Sequence, residues 1–196
     1  MNNQHIKILK TDILSDHWYT LKKVTFEQFS TKKGWMKVER EAYDRGNGAA
    51  ILLYNPIQNT ILLTKQFRLP TYINGNEDGM MIEVCAGLLD DHNPEECIRK
   101  ETEEETGYRI KEVHKVMEAY MSPGSVTEIL YFFVGLYEPD MKVNDGGGLE
   151  EDHEEIEVLE VTFPEVIEMV TNKSIKDAKT IMLIQYAQIH DLLKAK

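Results

Sequence analysis

The stretch Gly87–Tyr108, GLLDDHNPEECIRKETEEETGY, guides the interpretation of the whole sequence. Its second half predicts a helix with well-marked ends. Asn93 is suited to the N-cap, Pro94 to the first helical position, and Gly107 to the C′ position that ends a helix. We therefore expect a short loop after Gly87 to lead into a helix that ends at Gly107.

Two carboxylates of this helix are expected to face the protein interior. Glu101 and Glu105 continue, at intervals of four, the row that Cys97 begins, and residues four apart share one face of a helix. Two like charges directed at an interior are costly unless a cation joins them. Mg²⁺ or Mn²⁺ with oxygen ligands would meet this need and indicates phosphate chemistry. The alternative is an acidic surface helix, in which the six glutamates between residues 95 and 105 would repel one another.

The same stretch resembles the sequence box shared by the Nudix hydrolases. Residues 100–108, KETEEETGY, are similar to its second half, although a lysine replaces the family's arginine and Thr102 replaces an apolar residue. The preceding loop is one residue short, so His92 falls where the first glutamate of the box belongs. The neighbouring Asp90 and Asp91 could take over part of its role. The half of the box that binds metal in this family is intact.

The resemblance implies a metal centre and its ligands. Nudix enzymes use the two box glutamates that match Glu101 and Glu105, and the backbone carbonyl before the box glycine, which is that of Ala86 here. Glu104 matches a residue that more often holds the loop or the ammonium of Lys100. The expected cofactor is Mg²⁺, with Mn²⁺ as an alternative.

A fourth acid is expected from an acid-rich segment. Three consecutive glycines, Gly146–Gly148, predict a hinge, and the EEDHEE of residues 150–155 follows them in a mobile loop. Such loops are usually only solvated, but hinged loops also close over substrates. Related enzymes bring a loop glutamate to the metal or to the attacking water, and Glu154 is the best match for this catalytic residue and ligand. Glu155 and Asp152 are alternatives.

Three further side chains are expected to contact substrate. Arg68 ends a predicted strand and could bind a phosphate with two hydrogen bonds, the alternative being a salt bridge at the rim. Lys179 resembles a substrate-contacting lysine before the family's last helix, the alternative being a solvated lysine. Glu128 resembles an acid that contacts substrate or water in the group that hydrolyses ADP-ribose and nucleotide sugars. The position of Pro123 relative to Gly107 is typical of that group.

Within that group the chain most resembles bacterial GDP-mannose hydrolases, over nearly its whole length. By this likeness Trp18 would stack on the base, with an ordinary core position as the alternative. The other substrate contacts that the likeness implies are Glu39, Arg40 and Glu41, acting across a dimer, and Ala86, Gly87 and Leu88. The segments that carry the likeness are Ile13–Asp16, Tyr43–Ala49, Asn74–Glu77, Cys85–Asp90, Ala119–Gly124 and Val126–Glu128.

The composition excludes several classes of function. A net charge of −12, from 22 basic and 34 acidic residues, argues against nucleic acid or an anionic membrane as the main partner. Cys85 and Cys97 form neither a disulfide framework nor a zinc-binding spacing. No apolar run reaches the roughly 18 residues of a membrane span. The N-terminus lacks the apolar core of a signal peptide, so we expect a cytoplasmic protein.

The apolar pattern predicts an α+β fold with a mixed sheet flanked by helices, which the resemblance specifies as the Nudix α/β/α sandwich. The last helix is expected to carry Ile189 on its apolar side. Residues 5–44 are expected to form strands, with the clearest patterns at 17–30 and 35–44. Further strands are expected at 49–55, 60–67, 81–87, 113–122, 128–137 and 156–162, and later helices at 164–172 and 178–194.

The N-terminal β segment, residues 1–45, has too few strands for a core of its own and is separated by the break DRGNG from the Nudix domain, residues 46–196. In the related ADP-ribose and nucleotide-sugar hydrolases such a segment crosses to the partner subunit, which implies a homodimer. The alternative is that it packs on its own domain.

These features predict magnesium-dependent hydrolysis of the diphosphate of a nucleoside diphosphate sugar, with GDP-mannose giving GMP and mannose 1-phosphate. ADP-ribose is the alternative substrate. A non-catalytic, nucleotide-sensing Nudix domain is the alternative from another class. His92 and Lys100 keep that alternative open, whereas the intact set of Glu101, Glu104 and Glu105 argues against it.

Overall fold

The computed structural model describes residues 5–89, 93–149 and 155–194. The chain forms two compact units. One comprises the chain up to Asn47 together with Tyr120–Ile129, and the other comprises Gly48–Ala119 with Leu130–Lys196.

The first unit is built on a three-stranded antiparallel sheet. Its strands, each paired with the next, are β1 (Ile6–Asp16), β2 (Thr20–Ser30) and β3 (Gly34–Asp44). In the described part of this unit, Thr25 is the only buried residue. The sheet therefore has no core of its own. Its exposed large hydrophobic residues are Ile8, Leu9, Ile13, Leu14, Trp18, Phe29, Trp35 and Tyr43.

The second unit is built on a seven-stranded sheet. In chain order its strands are β4 (Gly48–Asn55), β5 (Thr60–Phe67), β6 (Met80–Glu83), β7 (Cys85–Leu88), β8 (His114–Tyr120), β9 (Ile129–Leu136) and β10 (Glu157–Thr162). The path across the sheet runs β10–β5–β4–β9–β8, with β6 paired to β5 and β7 paired to β4. The sheet is mixed, because β4 is parallel to β9 but antiparallel to β5 and β7.

The core of this unit lies around β4. This strand has neighbours on both sides, and seven of its eight residues are buried, which explains its almost continuous apolar sequence. Ile98 adds a fully buried side chain from the acidic helix, and Leu183 and Ile184 add two from the last helix. The helix that carries the candidate ligands is therefore fixed directly to the central strands.

Four α-helices accompany the sheet, which confirms the α+β class. They are α1 (Leu69–Ile73), α2 (Pro94–Thr106), α3 (Phe163–Thr171) and α4 (Ala178–Ile189), with a short 3₁₀ turn at Pro139–Met141. Among the helices of the described residues, none combines the length and the apolarity that crossing a membrane requires.

Three predictions about the helices require correction: the end of the last helix, the position of Ile189, and the absence of a helix at Leu69–Ile73. The last helix ends at Ile189 rather than at residue 194, and Asp191 beyond it adopts a left-handed φ of 53°. Ile189 is 76% exposed and does not belong to the apolar side, whereas Leu193 after the helix is buried. The five-residue α1 was not predicted, because it buries no side chain and so leaves no apolar pattern in the sequence.

The predicted strand at residues 81–87 is two strands that are separated at Val84. The N–H of Val84 donates to Oγ1 of Thr180 at 2.8 Å rather than to a neighbouring strand. Thr180 is fully buried, and its hydroxyl in turn donates to Oδ2 of Asp177 at 2.6 Å. Asp177 is also the N-cap of α4, since it accepts from the N–H of Thr180. One threonine thus joins the start of α4 to the junction between β6 and β7.

Replacing Thr180 with valine should destabilise the protein. The valine keeps the branched shape but leaves the buried N–H of Val84 without its acceptor, so we expect the free energy of unfolding to fall by about 1–3 kcal/mol. Urea denaturation measures the change. Thr171→Val is the matched control, because the Thr171 hydroxyl is exposed and bonds a carbonyl of its own helix. Equal effects of the two substitutions would contradict the assigned role.

Candidate active site

Helix α2 has the ends that its sequence predicts. Oδ1 of Asn93 accepts hydrogen bonds from the N–H groups of Glu95 and Glu96, both at 3.0 Å. At the other end Gly107 adopts a left-handed φ of 80°, and its N–H donates to the carbonyl of Glu103 at 3.0 Å. The helix therefore begins and ends where the box requires.

The predicted inward face of α2 is confirmed. Cys97 and Glu105 are each 3% exposed, and Glu101 between them is partly buried. Thr102, which stands where the family has an apolar residue, is fully buried. Its hydroxyl donates to the carbonyl of Ile98 at 2.6 Å, so the polar group is satisfied within the helix. The alternative of a purely solvated acidic helix is wrong.

The side chain of Glu101 lies against the backbone at Gly87. A Cβ atom placed on Gly87 would overlap Oε1, Cδ and Cγ of Glu101, so a side chain here would occupy the place of the carboxylate. The carbonyl of Ala86 belongs to the peptide bond that joins Ala86 to Gly87. A carboxylate of α2 therefore lies against the backbone of β7, at the residue that follows the carbonyl of Ala86.

Glu105 lies beside the thiol of Cys85, the first residue of β7. Burial raises the pKa of this thiol well above its usual value, and the charge of Glu105, a hydrogen bond with the Glu105 side chain and the charge of Glu101 raise it further. The thiol therefore stays protonated and neutral. Both predicted ligand carboxylates thus lie close to one buried residue next to Ala86.

These donors fit a hard divalent cation. Carboxylate and backbone carbonyl oxygens are the ligands that Mg²⁺ and Mn²⁺ prefer, and two converging negative charges need a positive one. Among the residues that the structure describes, no group of three or more His, Cys, Asp or Glu side chains is placed to hold an ion. A backbone oxygen, such as that of Ala86, water, or an acid from outside the described ranges would add further ligands.

Several predicted residues lie outside the described part of the chain, which omits residues 90–92 and 150–154. Glu155, one of the alternative bases, is described and has an exposed side chain. The assignments that fall on undescribed residues are Glu154 as ligand and base, Asp152 as its alternative, and His92, Asp90 and Asp91 of the shortened box loop.

The three glycines before residue 150 do not form the predicted hinge. The N–H of Gly147 donates to the carbonyl of Glu105 at 2.9 Å, and that of Gly148 donates to the carbonyl of Glu104 at 3.2 Å. Gly146 has a φ of 66°, and a Cβ atom there would overlap the carbonyl of Glu105. The glycines are needed for close approach, because their backbone covers the carbonyl end of α2.

The other two glutamates of the box form ion pairs within or beside α2. Glu104 pairs with Lys100, one turn earlier, at 3.3 Å, as the resemblance implied. Glu103 makes a bidentate pair with Arg109, in which Nε and Nη2 donate at 2.8 and 2.7 Å. The hydrogen bonding from Arg109 lowers the pKa of Glu103.

A second charged cluster lies at the end of β6. Glu83, whose side chain is 5% exposed, accepts hydrogen bonds from Nε of Arg68 at 3.2 and 3.3 Å and from Nη2 at 2.7 Å. Nζ of Lys179 lies 3.1 Å from Oε2 of Glu83 and 3.1 Å from Oδ1 of Asp177. The two predicted substrate cations are thus joined by an acid that the sequence analysis did not single out.

The alternatives for these two cations have different outcomes. The alternative that Lys179 is a solvated lysine is wrong, since its side chain is only 14% exposed. Arg68 does form a salt bridge, but with a buried partner, and its own side chain stays 38% exposed. The sequence signal for Glu83 was a single acid inside the apolar segment MMIEVCAG.

The charges of the cluster reinforce one another. Burial alone would raise the pKa of Glu83, but the charge of Lys179 and the hydrogen bonds and charge of Arg68 lower it overall. Burial alone would lower the pKa of Arg68, but Glu83 raises it, and the charges of Glu105 and Asp177 add to the rise. Glu83 and Arg68 are therefore ionised at neutral pH, and Arg68 lies within the field of Glu105.

The predicted nucleotide contacts of the first unit are exposed. Trp18 is 84% exposed, so its alternative as a core residue is wrong. The side chains of Glu39, Arg40 and Glu41 are exposed along β3. Glu39 accepts a hydrogen bond from Oγ1 of Thr25 at 3.2 Å, and Nη1 of Arg40 donates to the carbonyl of Glu39 at 2.7 Å. Their contact with a nucleotide stays a prediction.

Glu128 is held by a residue that the sequence analysis missed. Its side chain is 12% exposed, and Oε1 lies 3.6 Å from Nε of Arg45. The guanidinium of Arg45 in turn lies 5.4 Å from the ring centroid of Tyr19. The turn that carries Glu128 is further fixed by a hydrogen bond of 2.9 Å from Oγ1 of Thr127 to Oδ1 of Asp44.

Two family models match the chain. The model described as the GDP-mannose pyrophosphatase NudK N-terminal domain matches residues 5–43, and the NUDIX domain model matches residues 44–183.

The chain is also similar to bacterial proteins that are named GDP-mannose pyrophosphatase. It is 55% identical to that of Yersinia enterocolitica over 189 residues, which covers 96% of this chain and 98% of that protein. It is 54% identical to that of Pectobacterium atrosepticum over 184 residues, 94% of each chain. It is 53% identical to that of Yersinia pestis over 185 residues, 94% of this chain and 92% of that protein.

Replacing Gly87 with alanine should weaken metal binding. The new methyl group would displace the carboxylate of Glu101, so we expect the Kd for Mn²⁺ to rise by about tenfold or more. Electron paramagnetic resonance of free Mn²⁺ measures the affinity. Gly124→Ala is the matched control, since its Cβ would meet no atom within 4 Å. Unchanged Mn²⁺ affinity in Gly87→Ala would show that Glu101 does not bind the ion from this position.

Proposed function

The chain belongs to the Nudix family, and on that premise we propose that it hydrolyses the diphosphate bond of GDP-mannose, with Mg²⁺ as cofactor. The products would be GMP and mannose 1-phosphate. The contact between the Glu101 carboxylate and Gly87, next to the carbonyl of Ala86, is the observation that carries the proposal. The names of the relatives, which match over at least 94% of this chain, support the choice of substrate.

Glu101, Glu105 and the carbonyl of Ala86 would hold the cation. When bound, Mg²⁺ supplies the positive charge that a diphosphate needs and lowers the pKa of a bound water. Mn²⁺ has the same preference for oxygen ligands and would replace it. An acid among residues 150–155 would complete the set and take the proton of the attacking water. Glu154 is our choice, with Asp152 and Glu155 as alternatives.

Arg68 and Lys179 would bind oxygens of the diphosphate. Both are cations that lie within one cluster, and the charge of Glu105 acts on Arg68. A chain with a net charge of −12 repels a polyanion, so binding needs directed hydrogen bonds from these side chains as well as the charge of the metal. Ala86–Leu88 would line the same part of the substrate.

The nucleotide end would be bound by residues of the first unit. Trp18 presents an exposed ring for stacking on the base, and Glu39–Glu41 present exposed polar groups. Glu128 would contact substrate or water, held in place by Arg45. We assign the contacts of Glu39–Glu41 to a homodimer, in which these residues reach the partner's substrate.

The homodimer is supported by the exposed hydrophobic side chains of the N-terminal sheet. A sheet with no core and eight exposed large apolar residues needs another surface to cover it. A second copy of the chain would provide that surface. The cytoplasm is the proposed compartment, because two cysteines do not make the disulfide framework that is typical of small secreted proteins.

Glu101→Gln separates an enzyme from a silent nucleotide sensor. A magnesium-dependent screen of GDP-mannose, other nucleotide sugars and ADP-ribose, with the products identified, establishes the activity of the parent. We expect GMP and mannose 1-phosphate from GDP-mannose, and we expect kcat to fall on the order of 10²–10³-fold in Glu101→Gln. Glu103→Gln should keep full activity, since Glu103 pairs with Arg109 outside the metal site.

Two results would count against the proposal. No turnover of any compound by the parent would favour the sensor, and faster turnover of ADP-ribose would change the substrate assignment. Equal activity of the parent and Glu101→Gln would remove Glu101 from the catalytic site.

Sedimentation equilibrium tests the proposed dimer. We expect a particle of twice the 22.7 kDa chain mass at micromolar concentration, because the exposed apolar surface of the N-terminal sheet would be covered. A single-chain mass across the concentration range would contradict the dimer and leave that sheet covered in another way.

A further inference from the structure

Glu83 occupies an unusual position in this chain. Its side chain is 5% exposed, and it ends β6, which only Val84 separates from β7, the strand that contains Ala86. It contacts two cations from distant parts of the sequence, Arg68 after β5 and Lys179 in the first turn of α4. A buried carboxylate costs free energy unless it is paired, so both contacts are needed to keep it ionised.

The hydrogen bonds among the described residues leave part of each cation available. Nε and Nη2 of Arg68 face Glu83, so the edge formed by Nη1 and the second N–H of Nη2 points elsewhere. A guanidinium edge of this kind binds a phosphate with two hydrogen bonds. The ammonium of Lys179 has three N–H donors, and Glu83 and Asp177 occupy two of them.

The rotation of both cations is restricted by the same carboxylate. Arg and Lys side chains otherwise lose much rotamer freedom when they bind a ligand. Arg68 is held through two nitrogens, and Lys179 is held between two acids. Glu83 therefore removes this cost before a ligand arrives.

We propose that Glu83 is a positioning residue, which holds Arg68 and Lys179 side by side so that their remaining N–H groups bind the two phosphates of one diphosphate. The assignment of the ligand rests on the proposed function. Glu83 itself does not touch the substrate in this account, and it acts only through the two cations. A purely structural salt bridge between β6 and α4 is the competing explanation.

Glu83→Asp is the discriminating substitution. It keeps the charge but shortens the side chain by one methylene, so the carboxylate cannot reach both cations as Glu83 does. We expect KM for GDP-mannose, or for the nucleotide sugar found in the screen, to rise at least tenfold with a smaller change in kcat. In a Lys179→Met background the fold-rise of KM caused by Glu83→Asp should be at least three times smaller than the fold-rise in the parent.

Glu103→Asp is the matched control. Glu103 makes a bidentate pair with Arg109 of the same kind, but on the surface of α2. It should leave KM and kcat unchanged. Three results would overturn the positioning role. Glu83→Asp could raise KM equally in the parent and in Lys179→Met, or it could leave KM unchanged. It could also lose activity in proportion to the unfolded fraction seen by circular dichroism.

A binding measurement decides the point without turnover. Methylenediphosphonate is a diphosphate whose P–C–P bridge is not hydrolysed, and calorimetry in Mg²⁺ gives its Kd. We expect Glu83→Asp to bind it at least tenfold more weakly than the parent. Equal binding, or no binding by the parent, would overturn the inference. If the parent hydrolyses no nucleotide sugar, the proposed function fails, and this titration still decides the role of Glu83.

Discussion

The carboxylate of Glu101 lies where the side chain of any residue other than glycine at position 87 would lie. This contact connects the two halves of the sequence box, since one partner belongs to β7 and the other to α2. It also brings a second carboxylate, that of Glu105, next to the buried thiol of Cys85. Negative charge is therefore concentrated beside the first residues of β7. A divalent cation is the group that this arrangement accommodates at the lowest cost.

The parts of the site that sequence analysis predicted are those with local signals. The ends of α2 follow from Asn93 and Gly107, and the inward direction of Glu101 and Glu105 follows from their four-residue interval. The prediction of a hinge at the three glycines failed, because a run of glycines fits both a hinge and a close backbone approach. The close approach depends on carbonyls at the end of α2, roughly forty residues earlier in the chain, and the local sequence does not reveal it. Glu83 was missed because its two partners lie far away along the sequence.

Two kinds of positive charge serve the proposed reaction, and they differ in how they are held. The metal would be held by Glu101 and Glu105, whereas Arg68 and Lys179 are already paired with Glu83 and Asp177. The pairing makes that cluster of four charged groups neutral as a whole. It therefore offers directed hydrogen bonds rather than net charge, and neutralisation of the diphosphate would depend on the metal.

The backbone of Gly147 and Gly148 is bonded to the last carbonyls of α2, next to Glu105. Main-chain hydrogen bonds therefore fix the position of the residues that directly precede residue 150. Main-chain bonds do not depend on which side chains follow. Substitutions among residues 150–154 should consequently leave Glu101 and Glu105 in place, because the bonds that hold the preceding glycines are made by main-chain atoms.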